Sequence, residues 1–290
     1  DMNDVSVTNL EHPNGLRSSV KFDFSSVTET DSGFVIDINV IDSRQVNQIK
    51  LNVVDIHGLN DPQKKTVNHS NGIKSPYEHF NIGEHVNDNQ QNVAVNRQHL
   101  LTYLPPSTQI QWLNQVHGSR VDVISQYSKQ PLTADAIITA SPKIALAIMT
   151  ADCLPILLSN NEGTEIAAIH GGWRPLADNI ISHTLNKMKS KNEDIVAWLG
   201  PCISQTNFEV GNEVKVKFEQ LNPNFSSAFQ LSNRNKWLAD LQQITMTMLI
   251  AMGVKKIDQN DACTYAQGKR YYSYRRDNQT GRMASIICIK

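Results

Sequence analysis

Three residues of this chain are of types that hold metals or drive nucleophilic chemistry, and each stands where a strand pattern ends. They are His117 in "NQVHGSRV", Cys153 in "LAIMTADCLPILLS" and His170 in "TEIAAIHGGWRP". At His170 an apolar run suited to a buried strand stops on an imidazole, and two glycines, Trp173, Arg174 and Pro175 follow. Asn160 to Gly163 reads as a turn between the Cys153 and His170 segments. A four-residue hairpin loop there pairs Ser159 with Thr164, and an unbulged ladder then sets Cys153 opposite His170. Directly paired residues share a face, with Cβ atoms roughly 4.5–5.5 Å apart. A sulfur and an imidazole at that spacing can share one metal or act as nucleophile and base. Pro155 is the residue able to disturb this register.

His117, between Gln115 and Gly118, reads as a strand end or loop. Together His117, Cys153 and His170 match the donor set of a catalytic zinc site, which keeps three protein ligands and one open position. The competing reading is structural: an isolated cysteine packs as a small hydrophobe, and an isolated histidine as a satisfied polar group. Spacing alone leaves both open. No HExxH, GxSxG or P-loop pattern offers another chemistry.

Arg174 precedes the helix that Pro175 should open, so its guanidinium could join free helix N–H groups around an anion. The alternative is a solvated surface arginine. Arg275, Arg276 and Arg282 form a second basic cluster, of which Arg275 is the candidate for substrate or phosphate. Asp152 points away from Cys153 on a regular strand and could order the site from behind. Trp173 and Phe208 could stack on a planar ligand or pack in the core, the glycine pair could let substrate approach, and Cys202, Cys263 and Cys288 read as structural.

The elements that must position these residues are mixed. "VKFDF", "FVIDINVI" and "IKLNVVDI" predict an antiparallel meander over the first 60 residues. The polar stretch Leu59 to Pro76 is the best boundary, giving an N-terminal β-rich extension (1–60) and a catalytic domain (61–290). Helices are expected over 87–104, over 175–191 with Pro175 in the first turn, and over 235–254 ending near Gly253. An Arg-rich hairpin loop should lead into a last strand. The fold class is α+β.

With 290 residues, 40% apolar content and a net charge of -1, the chain has ample core and no electrostatic case for nucleic acid or a membrane surface. No stretch has the length of a membrane span, and no secretory signal pattern follows Met2. Four scattered cysteines without a C-x-x-C pair suit reduced thiols in a cytoplasm. A monomer is the default expectation.

The segments "PYEHFNIGEHVND", "NQVHG", "ADAIIT", "ALAIMTADCLPILL", "AAIHGGWR", "WLGPCISQTNFEVG", "DACT" and "YYSYRRDNQTGRMA", in this order, resemble the bacterial YfiH family, also called the multicopper polyphenol oxidase or laccase-domain family. The resemblance covers roughly residues 66–290. It implies a layered α/β sandwich of mixed sheets and makes His117, Cys153 and His170 the metal-binding and catalytic triad. Zinc is the implied metal, with copper possible. The implied reactions are phosphorolysis of adenosine, inosine and methylthioadenosine, and deamination of adenosine, so purine nucleoside and phosphate are the expected partners.

The chain departs from the family pattern in three places. His69 in "VNHSNG" stands where the family has an arginine, which bears on phosphate use. "HGGWRP" replaces "HAGWRG", and the first 60 residues align with nothing. The rival readings are a copper-dependent phenol oxidase, a non-catalytic metal-binding protein and a metal-free Cys–His hydrolase. Against the first, one cysteine and two histidines fall short of a multicopper cluster.

Overall fold

The computed structural model describes residues 76, 77, 80–233 and 235–289, together with the backbone of four strands between residues 21 and 56. Apart from Pro76, the polar boundary stretch lies outside the described residues, as do His69 and its departure from the family pattern.

The four N-terminal strands are β1 (Lys21–Asp23), β2 (Val27–Thr30), β3 (Gly33–Asp42) and β4 (Gln45–Ile56). They form the expected antiparallel arrangement, with both β1 and β2 pairing with β3 and β3 pairing with β4. Next come α1 (Gln90–Leu100), β5 (Gln109–Gln111), β6 (Val121–Ile124), β7 (Ala136–Thr139), β8 (Ile144–Thr150), β9 (Leu154–Asn160) and β10 (Ile166–Gly171). Two short helices follow, α2 (Trp173–Ala177) and α3 (Ile180–Leu185), then β11 (Ile195–Leu199), β12 (Glu209–Val210) and α4 (Asn212–Leu221). The chain continues through β13 (Phe229–Leu231), β14 (Trp237–Ala239), α5 (Leu241–Ala251), β15 (Lys256–Gln259), α6 (Tyr274–Asp277) and β16 (Met283–Cys288).

Two large mixed sheets stack. The seven-stranded sheet runs β1-β3-β4-β16-β8-β5, with β2 added beside β3, and the six-stranded sheet runs β15-β11-β9-β10-β7-β6. Every residue of β8 and of β9 is buried, which is why both read as unbroken apolar runs rather than alternating ones. Leu146, Ile148, Leu157, Val196, Trp198 and Ile287 fill the space between the sheets. On the other face of the six-stranded sheet, Leu154, Ile156 and Leu158 pack with Ile180, Leu185, Ile244 and Leu249, joining that sheet to α3 and α5. Leu100, Ala145, Ala147 and Ile286 join the seven-stranded sheet to α1. The result is the expected α/β sandwich of mixed sheets.

Four local expectations are corrected. The hairpin loop sits one residue later than a Ser159–Thr164 pair requires: Ser159 pairs with Ile166, and His170 faces Pro155 rather than Cys153. Asn160 causes this, because its side-chain oxygen accepts from the Thr164 and Glu165 N–H groups and keeps Asn160 in the ladder. The helix expected over 175–191 breaks at Asn179, whose left-handed backbone (φ 60°) separates α2 from α3. The helix expected from residue 235 begins at Leu241, where the Asp240 carboxylate caps the Gln243 N–H, and part of the preceding segment is β14. The Arg-rich hairpin loop is instead a helical turn, α6, capped by Ser273.

Candidate metal centre

Asp135 organises the site. It is fully buried at the head of β7, beside the Ala136–Ile169 pair that brings β7 against β10. Its carboxylate accepts from the Val116, His117 and Gly118 N–H groups at 3.1, 2.9 and 2.8 Å, and from His170 Nδ1 at 2.8 Å. Its carbonyl accepts the His170 N–H. One side chain thus fixes the His117 loop, whose residue 117 is left-handed (φ 58°), and the ring orientation of His170. With Nδ1 engaged, His170 keeps Nε2 for a ligand. Burial alone would raise the Asp135 carboxyl, but these bonds and the His170 charge outweigh it and hold it below the usual carboxylate range. Gln115 clamps the same loop to β8, its amide bonding both the N–H and the carbonyl of Met149 at 2.8 Å.

Cys153 ends the turn between β8 and β9. Asp152 there has φ 103°, a conformation costing on the order of 1–3 kcal/mol that persists only when the surroundings over-determine it. They do. The Asp152 carboxylate accepts from Thr264 Oγ1 (2.7 Å), Ser273 Oγ (3.0 Å) and the Arg275 N–H (2.7 Å), and its carbonyl from the Ile203 N–H (2.9 Å). Asp152 therefore orders the site from behind by tying the turn to the 260s and 270s segments.

The three ligand-type atoms of His117, Cys153 and His170 lie within 4.8 Å of one another. Cys153 Sγ is 3.9 Å from His117 Nε2, and the two imidazole rings meet edge-on at 4.7 Å. His170 is buried, Cys153 half-buried and His117 exposed, so the cluster opens on the His117 side. It is the one cluster of three or more potential metal ligands among the described residues. The revised hairpin register does not separate the set, because a shift of one residue on each strand preserves side-chain parity.

The electrostatics favour metal-ready donors. Burial would raise the Cys153 thiol, but the His170 charge, hydrogen bonds from His117 and His170, and the His117 charge bring it down to about 6. Burial would lower His170, yet the Cys153 charge and the hydrogen bond to Asp135 lead the opposing effects and raise it to about 9. Both shifts favour the thiolate–imidazolium form of the pair.

The glycine pair serves the protein's own contacts, not the open space expected for substrate. A Cβ on Gly171 would lie 2.7 Å from the Leu154 carbonyl, and one on Gly172 would lie 3.2 Å from Cys153 Sγ and 3.3 Å from His117 Cδ2. Arg174 falls inside α2 rather than ahead of it, exposed and stacked over Trp173 at 4.5 Å. Arg275 is exposed, stacks over Phe208 at 5.1 Å and donates to the Glu209 carbonyl at 2.9 Å. Sequence reasoning missed the roles of Asp135 and Gln115. An acid opening the apolar run "ADAIIT" was the signal available for Asp135, since a buried carboxylate requires partners.

A catalytic-type His–Cys–His cluster at the end of a two-sheet sandwich is the feature the comparisons bear on. Residues 64–290 match the family model described as multi-copper polyphenol oxidoreductase laccase, and the chain belongs to that family. A Shigella flexneri protein named purine nucleoside phosphorylase YfiH is 41% identical over 214 residues, 74% of this chain and 88% of that protein. A Haemophilus influenzae purine nucleoside phosphorylase is 42% identical over 216 residues, 73% of this chain and 88% of its own length. Among solved structures, a Neisseria meningitidis protein superposes with a TM-score of 0.75 at 33% identity, covering 83% of this chain and 94% of that one. No helix among the described residues is long and apolar enough to cross a membrane.

Proposed function

We propose that this protein is a metal-dependent purine nucleoside phosphorylase acting on adenosine, inosine and methylthioadenosine, with His117, Cys153 and His170 holding zinc. The observation that carries the reading is the convergence of the three donor atoms within 4.8 Å, in a chain whose relatives bear that name. The donors suit a borderline-soft ion: one thiol with a depressed pKa, one imidazole fixed by a carboxylate and one exposed imidazole. When bound, such an ion supplies Lewis-acid polarisation.

The chain's own residues do the remaining work. Asp135 holds His170 in one tautomer and fixes the His117 loop, Asp152 holds the cysteine turn, and the open His117 side admits substrate. In the reaction the C1′–N9 bond breaks with its electron pair passing to the purine. A phosphate oxygen bonds to C1′, and the proton of hydrogen phosphate ends on the purine ring. The products are free base and ribose 1-phosphate. Such a site requires a reduced Cys153, which suits a cytoplasm. Deamination of adenosine is the second reading, favoured by the same three-donor set. Copper-dependent phenol oxidation is less well supported, since the described residues offer a single ligand cluster.

The test is product analysis after incubating zinc-replete protein with adenosine, with and without phosphate. Adenine formed only with phosphate is the expected result, and inosine formed without phosphate would establish deamination. Neither product, with zinc confirmed in the sample, overturns the reading.

A further inference from the structure

Resting on the phosphorolysis reading, we infer that Arg282, rather than Arg174 or Arg275, receives the phosphate. Arg282 lies one step beyond the Met283–Thr150 pair of β16 and β8, across from Ala151 and therefore beside the Asp152–Cys153 turn. Its position is built. Its N–H donates to Asn81 Oδ1 at 2.8 Å, an oxygen that also accepts from the Gly83 N–H. A Cβ on Gly83 would lie 2.9 Å from Arg282 Cγ, so the glycine leaves room for this stem.

The guanidinium is poorly satisfied for a half-buried cation. Nη1 donates to the Thr280 and Gly281 carbonyls at 3.0 Å, and no described residue takes Nε or Nη2. Arg97, Arg120 and Arg276 each have a carboxylate partner, and Arg282 has none within ion-pair distance among the described residues. Its guanidinium carbon lies 5.9 Å from the centre of the Tyr274 ring, and the residues on either side of Tyr274, Ser273 and Arg275, are the ones that hold Asp152. With Asp152 already bound to Thr264, Ser273 and Arg275, the fork beside this turn keeps two donor positions free. A half-buried cation in that state matches a small dianion that accepts from two donors at once. By contrast, Arg174 lies exposed against Trp173, and the Arg275 side chain reaches away to the Glu209 carbonyl.

The experiment compares wild type with Arg282→Gln, Arg282→Lys and Arg174→Gln, each at equal zinc content. Two readouts are taken: the dependence of turnover on phosphate concentration, and the 31P line broadening of inorganic phosphate without nucleoside. Arg282→Gln keeps the stem against Gly83. It should raise the phosphate KM about 10- to 100-fold, the loss of a charge-assisted contact, while leaving the nucleoside KM within about twofold. It should also abolish the broadening. Arg282→Lys should fall between the two, and Arg174→Gln should stay within about twofold of wild type. Unchanged phosphate binding in Arg282→Gln, loss in Arg174→Gln instead, or no phosphate binding by wild type overturns the inference. Arg282-dependent phosphate binding without release of purine base would instead sink phosphorolysis and leave this anion site standing.

Discussion

Asp135 carries more of the site than either histidine it serves. Its two oxygens answer three backbone N–H groups and one imidazole, so a neutral amide there presents donors to donors. Asp135→Asn should cost about 1–3 kcal/mol in stability from unsatisfied buried groups, checked by denaturant unfolding, and about 10- to 100-fold in zinc affinity, checked by chelator competition. The Cys153–His170 pair makes a second prediction. With the thiol near 6 and the imidazole near 9, the folded metal-free pair holds one proton throughout that interval, on nitrogen. Zinc must displace it. From this pair, affinity should rise about tenfold per pH unit between about 6 and 9 and level off above, as competition at several pH values would show. Folding stability responds differently. The depressed thiol adds stability as pH rises from about 6 towards its unfolded 9.0, while the raised imidazole loses stability from its unfolded 6.5 towards about 9. The opposed slopes cancel, so a pH titration of metal-free stability should show the pair's contribution staying level across about 6.5–9.

At the scale of elements, Asn160 sets the β9–β10 register by accepting two turn N–H groups. Asn160→Ala should destabilise the fold by about 1–2 kcal/mol while leaving zinc content unchanged, because the sandwich packing still dictates which face is buried. A shift in metal stoichiometry would show that the turn controls the site. The same residue shows what sequence can convey. Buried strands were legible from uninterrupted apolar runs such as "IALAIMT" and "LPILLS", whereas donor types at strand ends left the grouping of His117, Cys153 and His170 open and only the family resemblance implied it. The register was not legible, since it hung on which of two adjacent asparagines stayed in the ladder. Nor was the break at Asn179, where a single left-handed residue overrides a helical pattern on both sides. The settings of Asp135 and Arg282 were hidden for a further reason: each depends on contacts far away in the chain, with His117 in one case and Asn81 in the other.

Over the whole molecule, the N-terminal strands join the large sheet through the β4–β16 pairing, so β16 lies between β4 and β8. Deleting residues 1–56 should leave one edge of β16 unpaired and cause self-association, measurable by sedimentation, together with lower soluble yield. A deletion variant that stayed monodisperse and equally stable would show that this edge needs no cover. The central place of β16 also has a consequence for synthesis. Thr150 meets Met283, and Asp152 meets Ser273, each pair far apart along the chain. A nascent polypeptide has His117, Cys153 and His170 outside the ribosome once β10 has emerged, yet the partners that hold the cysteine turn, and the strand that fills the middle of the large sheet, arrive only with Thr264, Ser273, Arg275 and β16. The metal centre is thus finished only when the C-terminal segments arrive, and a stalled chain would carry its ligands on an open, aggregation-exposed sheet.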